Sequence, residues 1–74
     1  RLRLWQGMFA NNPLLSAGVD LVMLAETYEL SGGAITNAVR YAAIQAVRMK
    51  RDQILLDDLV KGVIKELLKE GRTL

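Results

Sequence analysis

Between Ile35 and Val47 an apolar residue recurs every three or four positions, as Ile35, Ala38, Val39, Ala42, Ala43, Ala46 and Val47. That spacing gathers the set along one side of an α-helix. Four of the seven are alanine, and a face so lightly built lets a neighbouring helix axis come near, toward the lower end of the ~8–10 Å range. The expectation is a central helix buried closely among others. Ser31 stands just before it as a candidate cap.

Three weaker helical patterns surround this one. Leu2, Trp5 and Phe9, flanked by Leu4 and Met8, share one side of a short first helix. Asn11-Asn12-Pro13 is expected to stop it, because proline has no N–H to donate and drives the residue before it out of the helical region. A loop then runs to about Val19. Asp20 can cap a second helix that turns Leu21, Leu24, Ala25 and Tyr28 inward, leaves Glu26 and Glu29 outward, and ends near Glu29. After the central helix, Lys50-Arg51-Asp52-Gln53 forms a polar bridge in which Ile54 is the inward anchor. Asp57 is expected to cap the fourth helix. There Leu59, Val60, Val63, Ile64, Leu67 and Leu68 form the inner stripe, with Lys61, Lys65, Glu66 and Lys69 opposite. Acids at its start and lysines near its end suit the helix dipole, and Gly71 supplies the positive-φ residue that commonly closes a helix. No strand-like alternation and no internal repeat occur, so the fold class is all-α, a small bundle of four helices occupying residues 1–74 as one domain.

Composition closes most chemistries. Seventy-four residues hold a single small core, and a 51% apolar, 24% charged chain is not a disordered tail. Cysteine and histidine are both absent, which removes disulfides, thiolate and imidazole metal sites, and Ser-His or Cys-His nucleophiles. No GxxxxGK[ST] loop is present to cradle phosphates, so the chain cannot hydrolyse nucleotide alone. No catalytic residue and no metal ligand is assigned. Asp57-Asp58 reads as a charged helix start rather than a carboxylate pair for metal or acid–base work, since no third ligand is near. The net charge of +2 is too small to indicate nucleic acid. Arg48, Lys50 and Arg51 make the sole basic cluster, which reads as solvated surface. With no run of 18 apolar residues and no signal peptide, a cytoplasmic protein without a membrane partner is expected. The chain also opens without Met in the middle of an amphipathic pattern, as a piece of a larger polypeptide would. Leu4, Met8 and Met23 are candidates for apolar positions that the rest of such a parent covers.

One segment resists a purely structural account. In Ser31-Gly32-Gly33-Ala34-Ile35-Thr36-Asn37, two glycines lie between the cap and the central helix, where they cost backbone entropy and add no packing. A helix start with bare N–H groups is a suitable place for a nucleotide base or ribose to lie. The alternative is that the glycines only turn the chain between the second and third helices.

Four pieces taken together resemble the C-terminal helical lid of AAA+ ATPases, in particular the AAA clade. They are Arg1-Leu2-Arg3-Leu4-Trp5; Val19-Asp20-Leu21 with Leu24-Ala25; Ser31 to Ala38 with Ala42-Ala43 and Ala46; and Leu56-Asp57-Asp58-Leu59. The resemblance covers nearly the whole chain. It implies a lid that folds over ATP or ADP with Mg, held by an N-terminal α/β subdomain of the same parent, in a homo-oligomeric ring. It implies that Gly32, Gly33 and Ala34 match the turn whose backbone approaches adenine and ribose, and that Met8 lies beside the base. No arginine matches the position from which many such lids touch the γ-phosphate, since Ile35, Thr36 and Asn37 stand there and Arg40 is a turn further on. Arg40, Arg48 and Arg51 are then candidates to meet a neighbouring protomer. The alternative class is a free-standing helical module that binds a protein partner or nucleic acid through the same arginines.

Overall fold

A computed structural model describes residues 2–9 and 19–71. Four helices follow one another: α1 (Leu2–Phe9), α2 (Leu21–Thr27), α3 (Gly32–Arg48) and α4 (Leu56–Lys69). No strand occurs among the described residues. The radius of gyration is 11.4 Å, the ~11 Å expected of a compact chain this long. The expected helix stop at Asn11-Asn12-Pro13 lies outside the described residues.

The helix starts follow side-chain chemistry where a capping residue is present. At α2 the Met23 N–H donates to Asp20 Oδ1 at 3.1 Å, and at α3 the Ala34 N–H donates to Ser31 Oγ at 3.1 Å. Each satisfies one of the four donors that a helix leaves unpaired at its start. The expected cap of α4 is corrected. The cap position lies two residues earlier, at Leu55, and helix α4 starts at Leu56, so Asp57 lies inside its first turn, and exposed Asp57 pairs instead with Lys61 at 3.1 Å. Asp58 does the capping, reaching back to accept from the Leu55 N–H at 3.0 Å. The cap position itself holds Leu55, whose side chain has no oxygen to offer.

Helix α3 ends in a Schellman turn. The Arg51 N–H donates to the Ala46 carbonyl at 2.9 Å and the Lys50 N–H to the Val47 carbonyl at 3.0 Å. This closure needs a left-handed residue, and Lys50 takes that role with φ of 56°. Gly71, at φ 74°, does the same after α4.

Around these helices the core is built from Trp5 and Phe9 of α1, Leu24 and Ala25 of α2, Leu30, six residues of α3, Ile54, and Leu59, Val63 and Leu67 of α4. Ile54 is wholly buried, as an inward anchor should be. The tightest approach joins α3 to α4. A Cβ placed on Gly62 would stand 2.7 Å from the Ala38 carbonyl oxygen and 3.1 Å from the Ala38 Cα. The small faces of the two helices therefore meet backbone to backbone. Polar contacts flank this seam: Asn37 Nδ2 donates to Glu66 Oε1 at 3.1 Å, and the Lys65 ammonium stands 5.2 Å from the Tyr41 ring centre.

Three expected orientations are corrected. Val47 and Leu68, expected inside, are 73% and 62% exposed. Glu66, expected outside with the lysines, is buried. The apolar stripes are narrower than the sequence pattern, because α4 turns its Gly62–Glu66 edge toward α3 and so rotates Leu68 out to solvent.

Gly62→Ala is expected to lower stability by about 1–3 kcal/mol through overpacking, despite alanine's higher helix propensity. Gly33→Ala, where a Cβ meets nothing within 4 Å, is expected not to destabilise. Urea unfolding midpoints of the two variants check this, and equal midpoints contradict the close approach. Lys50→Gly removes left-handed strain and is expected to raise stability by up to about 1 kcal/mol; a lower thermal midpoint contradicts the Schellman assignment.

Candidate functional site

Gly32 and Gly33 form the first turn of α3 itself, rather than a connection ahead of it. Neither has a positive φ; among the described glycines only Gly71 does. Turning the chain thus gives no reason for glycine at either place. Packing gives none either. A Cβ on Gly32 would meet Leu4 Cδ1 at an ordinary 3.7 Å, and a Cβ on Gly33 would meet nothing within 4 Å.

What this sequence creates is a bare helix tip. Ser31 Oγ takes the Ala34 N–H and the Ser31 carbonyl takes the Ile35 N–H at 3.0 Å. That leaves the Gly32 and Gly33 N–H groups, which have no acceptor within the helix, on exposed residues at its positive end. Ala34 is buried, 6% exposed. Its side chain belongs to the core, so only its backbone belongs to the tip.

Helix α1 supplies the tip's apolar wall. Leu4 lies beside Gly32 and is 48% exposed. Met8 is half-buried one turn along, with its sulfur 3.9 Å from Thr36 Oγ1. The Thr36 hydroxyl has one proton, and the Gly32 carbonyl at 3.0 Å is the nearer acceptor. The Met8 sulfur is therefore a packing contact, and the hydroxyl bond braces the tip's own backbone. Gly32, Gly33 and Ala34 thus form the first turn of α3, and Met8 packs beside the next turn through Thr36. Leu4 was expected as uncovered apolar surface and is so; Met8 and Met23 are only half-uncovered.

Both acids of Asp57-Asp58, and Arg51 of the basic cluster, are drawn into internal pairs. Arg51 grips Asp58 with both nitrogens, at 2.5 and 2.9 Å. The Schellman turn delivers Arg51 to that position, and the pair ties the end of α3 to the start of α4. Arg51 is thereby withdrawn from the outward-facing arginine set, while Arg40 and Arg48 stay exposed. Arg51's hydrogen bonds hold the Asp58 carboxyl below its ordinary pKa; burial opposes them, and the Leu55 N–H and the Arg51 and Lys61 charges reinforce them. For Glu66, burial pushes the pKa up, but hydrogen bonds from Asn37 and Lys69 with the lysine charges outweigh it, and the net shift is downward. No group of three or more acids that could hold a metal ion occurs among the described residues. Among the described residues no helix is long and apolar enough to cross a membrane.

Gly62 and Glu66 are structural residues that sequence periodicity does not single out. The Asn37 and Glu66 pairing spans 29 positions, which no local pattern reports. Comparison with known proteins yields no match to a family model, to a curated protein or to a solved structure.

Because the folded pKa of Asp58 is lowered, its stabilisation is full above the unfolded value of about 3.9 and is lost as pH falls through the folded value. Stability is expected to drop on acidification below about pH 4, with a shallower fall in Asp58→Asn. Parallel acid-unfolding curves for the two proteins contradict this.

Proposed function

We propose that the chain is the helical lid of an AAA+ ATPase, closing over ATP held by an N-terminal α/β subdomain of the same parent and passing nucleotide state to neighbouring subunits. The observation that carries this reading is the tip of α3. Among the described residues no positive φ and no close packing calls for glycine at these two consecutive positions, and their N–H groups belong to exposed residues beside an apolar wall from α1. An external flat group needs such a surface, because any side chain at Gly33 holds it away from the backbone.

The donor set fits a base or ribose. The Gly32 and Gly33 N–H groups offer donors to ring or hydroxyl acceptors, and Leu4 and Met8 offer apolar cover to a ring face. ATP supplies the bond whose cleavage drives the parent; this chain supplies contact and motion. It brings no phosphate-cradling loop, no arginine among residues 31–37 and, among the described residues, no cluster of acids for Mg, so those tasks fall to the rest of the parent. The seam of α3 with α4 makes the lid stiff. A shift at the tip is then delivered along the full 17 residues of α3, roughly 25 Å at 1.5 Å per residue, as a lever arm.

The test uses the intact parent polypeptide. Gly33→Val is expected to weaken ATP binding by about tenfold, equivalent to ~1.4 kcal/mol, with helicity unchanged by circular dichroism. Unaltered ATP affinity in a folded variant contradicts the proposal.

A further inference from the structure

Two rows of residues run back from the bare tip of α3. Gly32 and Thr36 are four apart and share one face of the helix, as Gly33 and Asn37 share the neighbouring face. Helix α1 lines the first row, through Leu4 beside Gly32 and Met8 beside Thr36. Helix α4 reaches the second, where Asn37 Nδ2 donates to Glu66 Oε1 at 3.1 Å. Gly33 therefore stands between an apolar wall on one side and an exposed asparagine on the other. Glu66 decides which way that asparagine turns. Its carboxylate is buried, and its second oxygen accepts from Lys69 Nζ at 3.1 Å. Burial alone raises its pKa, but the hydrogen bonds from Asn37 and Lys69 with the lysine charges outweigh it, so the group is ionised at neutral pH. An ionised carboxylate only accepts, so it takes the NH2 end of the Asn37 amide and fixes where the carbonyl oxygen, Oδ1, points. No hydrogen bond to Oδ1 is made among the described residues.

We propose that Asn37 is a specificity-determining residue of the tip: its Oδ1 accepts a hydrogen bond from a donor on the bound nucleotide, the exocyclic amino group of the base or a ribose hydroxyl, while Glu66 holds the amide in that orientation. The rest of the tip cannot do this. Its two glycine N–H groups meet only acceptors, and Leu4 and Met8 give apolar cover that reads no polar group. The tip's own carbonyls are already accepting, Ser31 from the Ile35 N–H and Gly32 from the Thr36 hydroxyl. Asn37 thus supplies the acceptor that the backbone there lacks. It stands about 6 Å along the axis from Gly33 at 1.5 Å per residue, within the span of a nucleoside whose other edge meets the tip. A site built to hydrogen-bond one substrate group rejects an analogue without it, because the site's polar atom is then left unpaired. In this arrangement Asn37 touches the nucleotide and Glu66 is a positioning residue. The inference rests on the lid reading given above.

Equilibrium binding to the intact parent polypeptide tests it, with ATP, with inosine triphosphate, which has no exocyclic amino group, and with the 2′-deoxy and 3′-deoxy forms of ATP. Asn37→Leu keeps the side chain's shape and removes the acceptor. It is expected to weaken ATP binding between about threefold and tenfold and not to weaken one of the analogues: inosine triphosphate where the amino group is the donor, a deoxy form where a ribose hydroxyl is. Glu66→Gln introduces an amide that can donate, which frees Asn37 to turn over. That variant is expected to lose part of the preference for ATP over the same analogue, with helicity unchanged by circular dichroism. Equal weakening for ATP and every analogue in Asn37→Leu overturns the proposal, as does no change with any of them, or full selectivity in Glu66→Gln. The two readings fail separately. Where Gly33→Val weakens ATP binding but Asn37→Leu leaves selectivity intact, only the role of Asn37 falls; where Gly33→Val has no effect, the lid reading falls and this inference with it.

Discussion

The contact of Gly62 with Ala38 fixes the rest of the molecule. Only hydrogen-sized groups fit where α3 and α4 cross, since a Cβ on Gly62 would fall 2.7 Å from a carbonyl oxygen. Close backbone approach brings the flanking side chains within reach of each other. Asn37 then finds Glu66, and Lys65 lies over Tyr41. At the far end of the pair the Arg51–Asp58 clamp closes the corner between the helices. A larger residue at position 62 would separate the axes and loosen each of these contacts. Glu66 would then lose the Asn37 bond that helps offset its burial, keeping only Lys69 of its own helix.

The two halves of the bundle differ in the strength of their attachment. Helices α3 and α4 form an extended, mutually buried pair, whereas α1 and α2 are short and lean on α3 through α1. Trp5 anchors that attachment, wholly buried, with an indole N–H that has no hydrogen-bond partner. Its area of apolar contact outweighs the unsatisfied donor, which costs roughly 1–3 kcal/mol. The tip of α3 lies where the strong pair meets the lighter half. Its backbone is held by the long helix and by the Thr36 bond to the Gly32 carbonyl, while its apolar wall comes from α1. A rigid donor pair beside a more lightly held wall is an arrangement suited to a surface that must close on something.

Much of this was legible in the residues. Serine and aspartate ahead of apolar periodicity mark the starts of α3 and α2, because a capping oxygen is a local property of three or four positions. Gly71 marks the end of α4 for the same reason. The start of α4 lies two residues ahead of the position its acids suggest because its cap comes from inside the helix: Asp58 reaches back to Leu55, and Leu55 carries no polar signal. Periodicity located the core side of each helix but overestimated its width, so Val47, Leu68 and Glu66 were placed on the wrong side. Stripe width is set by where a neighbour's axis crosses, which is tertiary information. The glycine pair was visible as an oddity; that neither glycine turns the chain or fills a contact emerged only from φ and from the space around each Cβ.

The central claim, that the bare start of α3 is a surface for an external ring, is tested most directly by amide hydrogen exchange on the intact parent with and without ATP. Protection is expected to rise at the Gly32 and Gly33 amides, whose hydrogens have no acceptor within the helix, with little change across the already buried α3–α4 seam. Exchange at those two amides that is identical in both states would contradict it.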